Sequence, residues 1–148
     1  MPEATARLRK NTAPVFIIAG GGNDAAFVPS TQAFRVAPER FTENISAMVG
    51  EAKKMNGSVI IQSLTPVNDA VTGIQPGKDR SKLNKYVEVF NEQLRAMCLG
   101  NGLPFIDAYA AFMTEGHLGL LCSDGIHPNS RGHQVISHLV LNELEKLG

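Results

Sequence analysis

Three short apolar runs alternate with longer stretches in which apolar residues recur every three or four positions. The first run, Val15-Phe16-Ile17-Ile18-Ala19, follows Pro14 and is closed by Gly20-Gly21-Gly22. Its β-branched and aromatic residues are continuous rather than alternating, which predicts a strand buried on both faces. Val59-Ile60-Ile61 is the second run and ends near Ser63-Leu64-Thr65-Pro66. Pro104-Phe105-Ile106-Asp107 is a short third. Between the first two, a helix is expected from about Pro38, a residue suited to the first helical position. Phe41, Ile45, Met48, Val49, Ala52 and Met55 fall on one face of it, with Gly57 as its terminator. A second helix has Asp79 as its cap and a buried stripe of Leu83, Val87, Phe90, Leu94 and Cys98, and ends at Gly100 and Gly102. The last helix is capped by Ser130 and buries Ile136, Leu139, Val140, Leu144 and Leu147.

The remaining stretches lack a clean period. Residues 2–10 read as the tail of a helix, too weakly amphipathic to stand alone. Phe27 to Ala37 reads as loop, and Tyr109 to Leu121 as irregular or a short helix. Pro66 to Lys78 is a polar loop with Gly and Pro, long enough to be a substrate-side loop rather than a plain connection. The order strand, helix, strand, helix, strand, helix predicts a layered α/β fold. Each crossover is long enough for a helix, so the strands should run parallel. Such sheets hold ligands at the carboxyl ends of their strands. That puts Asn23, Ser63, Thr65, Asp107 and the loop before the last helix on one rim.

Composition narrows the function classes. With 148 residues and 43% hydrophobic content the chain suits a single globular domain, residues 1–148. Fourteen basic and 14 acidic residues give a formal net charge of zero, which argues against nucleic acid or membrane as an electrostatic partner. Cys98 and Cys122 sit in no metal-like spacing and read as reduced thiols. Residues 1–11 are polar and basic and no run is long enough to span a membrane, so a cytoplasmic protein without signal peptide or membrane span is expected.

Two stretches carry candidate chemistry. In Ser123-Asp124-Gly125-Ile126-His127-Pro128 an Asp precedes a His by three residues. A turn there brings the carboxylate to the imidazole, fixes its tautomer and leaves the other ring nitrogen free to take a proton. The glycines after the first strand lack the spacing of a dinucleotide fingerprint and lead instead into Asn23-Asp24. Alone, each feature has an ordinary reading: a tight turn for the glycines, a turn residue for Asn23, a surface histidine for His127.

In this order the two stretches resemble the SGNH (GDSL-type) esterases and lipases. Gly21-Gly22-Asn23-Asp24 matches that family's Gly-x-Asn-Asp block, and Asp124-Gly125-Ile126-His127-Pro128 its Asp-x-x-His block. The resemblance covers nearly the whole chain. It implies a three-layer, flavodoxin-like parallel sheet and hydrolysis of a carboxylic or other acyl ester through an acyl-serine, without metal or organic cofactor. His127 would be the general base and Asp124 its orienter. Asn23 would donate to the oxyanion, and Gly21 and Gly22 would let the backbone approach a small-molecule ester. Asp24 would organise the loop. The family's Gly-Asp-Ser block has no counterpart: none of the serines follows Gly-Asp, and Ser63 lies on the wrong strand. The expectation is therefore that the first strands and the nucleophile lie upstream of Met1. These residues alone would then be inactive, and Val15 to Ala19 would be an exposed edge prone to self-association. Two alternatives stand beside this: a noncatalytic α/β binding module, and a metal-dependent hydrolase using His117, His127, His133 and Asp124.

Overall fold

A computed structural model describes residues 13–74 and 77–147; the expected helix tail at residues 2–10 lies outside them. Three parallel strands form the sheet, β1 (Val15–Ala19), β4 (Ser58–Gln62) and β5 (Phe105–Ile106), in the order β1-β4-β5. Val15 lies opposite Ser58 and Ala19 opposite Gln62, while Ile61 lies opposite Phe105. Between β1 and β4 comes the helix α1 (Pro38–Lys54). A short helix α2 (Asp69–Thr72) and a long one, α3 (Asn84–Asn101), separate β4 from β5. Helix α4 (Ala108–Glu115), a 3-10 turn (His117–Leu120) and α5 (Ser130–Glu145) follow. This is the layered parallel α/β fold that the alternation of runs predicts.

The main core is built as the periodicity requires. Phe41, Ile45, Val49 and Ala52 of α1 and Val87, Phe90, Leu94 and Cys98 of α3 are buried with Val59 and Ile61 of β4. Phe90 sits at its centre, edge-on to Phe34 and tilted against Phe41. A smaller core gathers Phe112, Leu120 and Leu121 beneath Val135 and Ile136 of α5. It is tight at Gly132, where a β-carbon would lie 2.4 Å from the Leu120 carbonyl oxygen.

Several expectations are corrected. β1 is not buried on both faces: Ile18 is its single buried residue among those described, and Val15 and Ile17 are about 43% and 40% exposed. Burial on both faces belongs to β4, the central strand, where Val59 to Gln62 are all buried. The reason is position, since β1 pairs only with β4 among the described residues. Phe27 to Ala37 is not all loop but contains a small antiparallel hairpin, β2 (Phe27–Val28) with β3 (Ala33–Phe34). Asp79 does not cap α3; its carboxylate takes the backbone N–H and the hydroxyl of Ser30. The N–H of Asn84 at the start of α3 donates instead to Asp69 of α2, at 2.8 Å.

Ser130 is likewise replaced as a cap, by Asn129, whose side-chain oxygen accepts from the N–H groups of Arg131 and Gly132. Its amide also donates to the carbonyls of Gly119 and Leu121, which ties the helix start to the 3-10 turn. Gly100 lies inside α3, and Gly102, with φ 60°, ends it. Gly57 serves α1 through space rather than through φ: a β-carbon there would lie 2.4 Å from the Phe16 ring, while Asn56 takes the left-handed turn. Along α5, Ile136, Leu139, Val140 and Leu144 are only half-buried, and Leu147 is exposed. No helix among the described residues is long and apolar enough to cross a membrane.

Candidate active site

The Asp-His unit is built by a turn closed on both sides. Leu121 and Pro128 form a β-bridge, the N–H of Cys122 donates to the His127 carbonyl at 2.7 Å, and the N–H of Gly125 donates to the Cys122 carbonyl. Gly125 has φ 70°, and a β-carbon there would lie 3.0 Å from the β-carbons of Asn68 and Val71. Its carbonyl accepts from the N–H of Asn68 at 2.8 Å. The turn is thus seated on α2, and only glycine meets both the conformation and the fit.

Within the turn, one oxygen of Asp124 accepts from the backbone N–H groups of Ile126 and His127, at 2.9 and 3.0 Å. The other meets His127 Nδ1 at 2.5 Å. These contacts, the imidazole first and the two backbone donors after it, hold the Asp124 carboxyl well below the usual carboxylate range. With an ionised acceptor at Nδ1, that nitrogen carries the proton of the neutral imidazole. Nε2 is then a lone-pair acceptor, and it has no hydrogen-bond partner among the described residues. The His127 side chain is 74% exposed, open to an approaching group.

Asn23 reaches the same place from the end of β1. The chain turns there through Gly21, with φ 112°, and the N–H of Ala25 closes the turn on the Gly21 carbonyl at 2.9 Å. The Asn23 side-chain oxygen accepts from Lys82 Nζ at 3.0 Å. That contact sets which end of the amide faces which way, because a lysine can only donate. The Asn23 NH₂ group is left as a donor without a partner among the described residues.

Lys82 is a residue the sequence reading missed. Its backbone is pinned: its N–H donates to the Thr72 carbonyl at 2.9 Å, and its carbonyl accepts the Thr72 hydroxyl at 2.5 Å. Ser81 beside it exchanges two backbone bonds with Phe27. The ammonium is partly buried, and that burial, then repulsion from Arg80 and Arg35, lowers its pKa, against an opposing pull from Asp124. Nothing in the local sequence marks it; its partner lies 59 positions away.

Asn23, Lys82, Asp124 and His127 line one open cavity of about 440 Å³, together with Lys78 and Arg80. The other rim residues fall elsewhere. Ser63 and Thr65 line a neighbouring apolar cavity of about 220 Å³, and the Ser63 oxygen is buried and accepts the Tyr109 N–H at 2.9 Å. Asp107 caps α4 through the Ala110 N–H and pairs with Arg95, outside both cavities. Gly22 opens onto the apolar cavity, with nothing within 4 Å of a β-carbon there. Gly21 turns to Phe41, whose ring would lie 2.6 Å from a β-carbon, so the packing there by itself requires glycine. Asp24 serves the loop through its carbonyl, which accepts from the Val36 N–H. Among the described residues no three His, Cys, Asp or Glu side chains converge as metal ligands, so His117 and His133 do not join Asp124 and His127.

The model of the GDSL-like lipase/acylhydrolase family matches residues 2–135. The chain belongs to that family. Solved structures of similar fold include a GDSL-like lipase from Bacteroides thetaiotaomicron, with 20% identity and a TM-score of 0.70 over 89% of this chain and 62% of that one. The lipase/acylhydrolase from Enterococcus faecalis has 20% identity and a TM-score of 0.70, covering 98% of this chain and 70% of its own. An acetylxylan esterase from Geobacillus stearothermophilus has 17% identity and a TM-score of 0.56, over 73% and 47%. No curated protein matches the chain. These 148 residues of a GDSL-like chain span about 62% of the length of the Bacteroides thetaiotaomicron lipase.

Proposed function

We propose that this GDSL-like chain carries the base, its orienting carboxylate and one oxyanion donor of a serine-type acyl ester hydrolase. The observation that carries the reading is the 2.5 Å contact of His127 Nδ1 with Asp124, in the cavity that Asn23, its side-chain oxygen held by Lys82, also lines. His127 Nε2 takes the proton of a serine hydroxyl as the oxygen attacks the ester carbonyl. Asn23 donates to the oxyanion, where preorganised donors contribute most. The imidazolium, held by Asp124, then returns the proton to the leaving alkoxide, and water releases the acid from the acyl-serine in a second round of the same steps. No serine lines the cavity among the described residues. The nucleophile is to be sought in a Gly-Asp-Ser block that these 148 residues do not contain. The unpaired Cys98 and Cys122 favour a reducing, cytoplasmic setting.

The test joins a Gly-Asp-Ser strand–helix segment to this chain and measures hydrolysis of activated esters and labelling by a fluorophosphonate. Activity should appear with the segment and not without it. In the active form His127→Ala should lower kcat by several orders of magnitude with little change in KM, and Asn23→Ala by on the order of 10²–10³. Turnover and labelling by the 148 residues alone would sink the missing-nucleophile argument. Inactivity with a folded, restored segment would favour the noncatalytic module.

A further inference from the structure

The chain has no net charge, yet the walls of the cavity at His127 are strongly one-sided. Lys78, Arg80 and Lys82 all line it, against a single carboxylate, Asp124. That carboxylate is already committed: its oxygens are occupied by the His127 ring and two backbone N–H groups. The other acids of these loops are turned away. Asp79, between Lys78 and Arg80 in sequence, is bound to Ser30, and Asp69 receives the N–H of Asn84. Neither Lys78 nor Arg80 forms an ion pair among the described residues. Lys82 gives its hydrogen bond to the neutral amide of Asn23; Arg80 and Arg35 repel it, and Asp124 is the carboxylate that attracts it. Three cations against one carboxylate leave an excess of positive charge around one concavity, which raises the local concentration of anions and repels cations.

We propose that the ester taken by this site bears an anionic group, a phosphate or a carboxylate, held by Lys78, Arg80 and Lys82 beside the scissile bond. This rests on the hydrolase reading and adds a substrate class to it. The geometry divides the work among the three. Lys82 spans the site, donating to Asn23 Oδ1 while lining both this cavity and the apolar one next to it. Lys78 and Arg80 have no such internal duty and are free to meet the anion. A guanidinium can grip two oxygens of either anion at once, whereas a lysine acts as a point charge.

The test reads binding to the chain as it stands and so does not depend on turnover. The ¹⁵N-labelled protein is titrated at low salt with n-butyl phosphate, with pentanoate, and with neutral pentan-1-ol, following the Asn23 side-chain amide and the His127 ring. At least one anion should shift both residues and bind about tenfold or more tightly than the alcohol, with affinity falling as salt is raised. A response to both anions, or to only one, identifies the preferred headgroup. The double change Lys78→Glu with Arg80→Glu should abolish the preference for the anion, and Arg80→Lys should keep part of it. Alcohol binding as tight as the better-bound anion would overturn the proposal. So would anion shifts that leave Asn23 and His127 untouched, or a preference that survives the double charge reversal. Any of these would leave the hydrolase reading standing, because that reading fails only on the His127 and fluorophosphonate tests.

Discussion

Asp124→Asn separates the two duties of this carboxylate. The turn duty survives, because the amide oxygen of an asparagine can still accept from the N–H groups of Ile126 and His127. The duty toward the imidazole is inverted. Where Oδ2 now accepts at 2.5 Å, an NH₂ group would donate, so Nδ1 must offer its lone pair and the ring proton moves to Nε2. A base whose working nitrogen is already protonated cannot take a proton from serine. For a buried triad that inversion lowers kcat about 10⁴-fold. The His127 side chain is 74% exposed, and water can compete for Nδ1 and restore some of the productive tautomer. The expected loss is therefore on the order of 10³–10⁴ in the active form, with KM nearly unchanged. Ring ¹⁵N shifts in the present chain read the tautomer directly. Nδ1 should be of the protonated type in the parent and Nε2 in the variant, while the amide signals of Ile126 and His127 stay in place. The same tautomer in both proteins, or a variant retaining more than about a tenth of kcat, would refute the argument.

Other consequences can be measured independently. Asn91 is buried, and its side chain accepts from the Leu64 N–H and donates to the Leu64 carbonyl, so Asn91→Ala should cost about 2–4 kcal/mol in urea denaturation by stranding both groups. Phe90→Ala removes a ring that packs against two others, Phe34 and Phe41, in a fully buried site and should cost about 3–5 kcal/mol in the same assay, with m unchanged. The depressed Asp124 pKa means its contribution to the turn is present above the ordinary carboxylate range, near pH 4, and is lost as pH falls through its folded value. Acid should therefore loosen the Ile126 and His127 amides in hydrogen exchange, and Asp124→Asn should remove that dependence. The outer edge of β1, with Val15 and Ile17 exposed, should promote self-association that Ile17→Lys suppresses; a concentration-independent monomer by sedimentation would show the edge is tolerated.

What the sequence reveals and what it hides follows from distance along the chain. The strands at Val15–Ala19 and Ser58–Gln62 and the helices at α1, α3 and α5 are written in local periodicity, and they appear where that periodicity puts them. The Asp124–His127 contact is equally local, closing over three residues, and so is readable from spacing. Caps are less legible because any of several polar residues can supply one. Asp79 has the right chemistry but is drawn off by Ser30, and the α3 amide is met by Asp69 from another helix. The hairpin at Phe27–Phe34 has strands of two residues each, too short to leave a pattern. Burial of β1 depends on what lies beside it, which an apolar run does not encode. Lys82 is invisible for the same reason, since its value to Asn23 arises only when two loops meet.

The Asp-His unit has a further consequence for how the protein assembles. Its members are three residues apart, and the bridge of Leu121 to Pro128 encloses them within eight positions. The entropy lost on closing so short a segment is small, and it does not wait for the sheet to form. The Lys82–Asn23 contact spans 59 residues and forms only after β1, β4 and α2 have been brought together. The proposed base and the proposed oxyanion donor thus belong to different levels of contact order, the first to an early local turn and the second to the completed topology. Damage to the sheet would leave the imidazole paired with Asp124 while Asn23 drifts away, so the gathering of these side chains around one cavity would be lost before the histidine's own geometry.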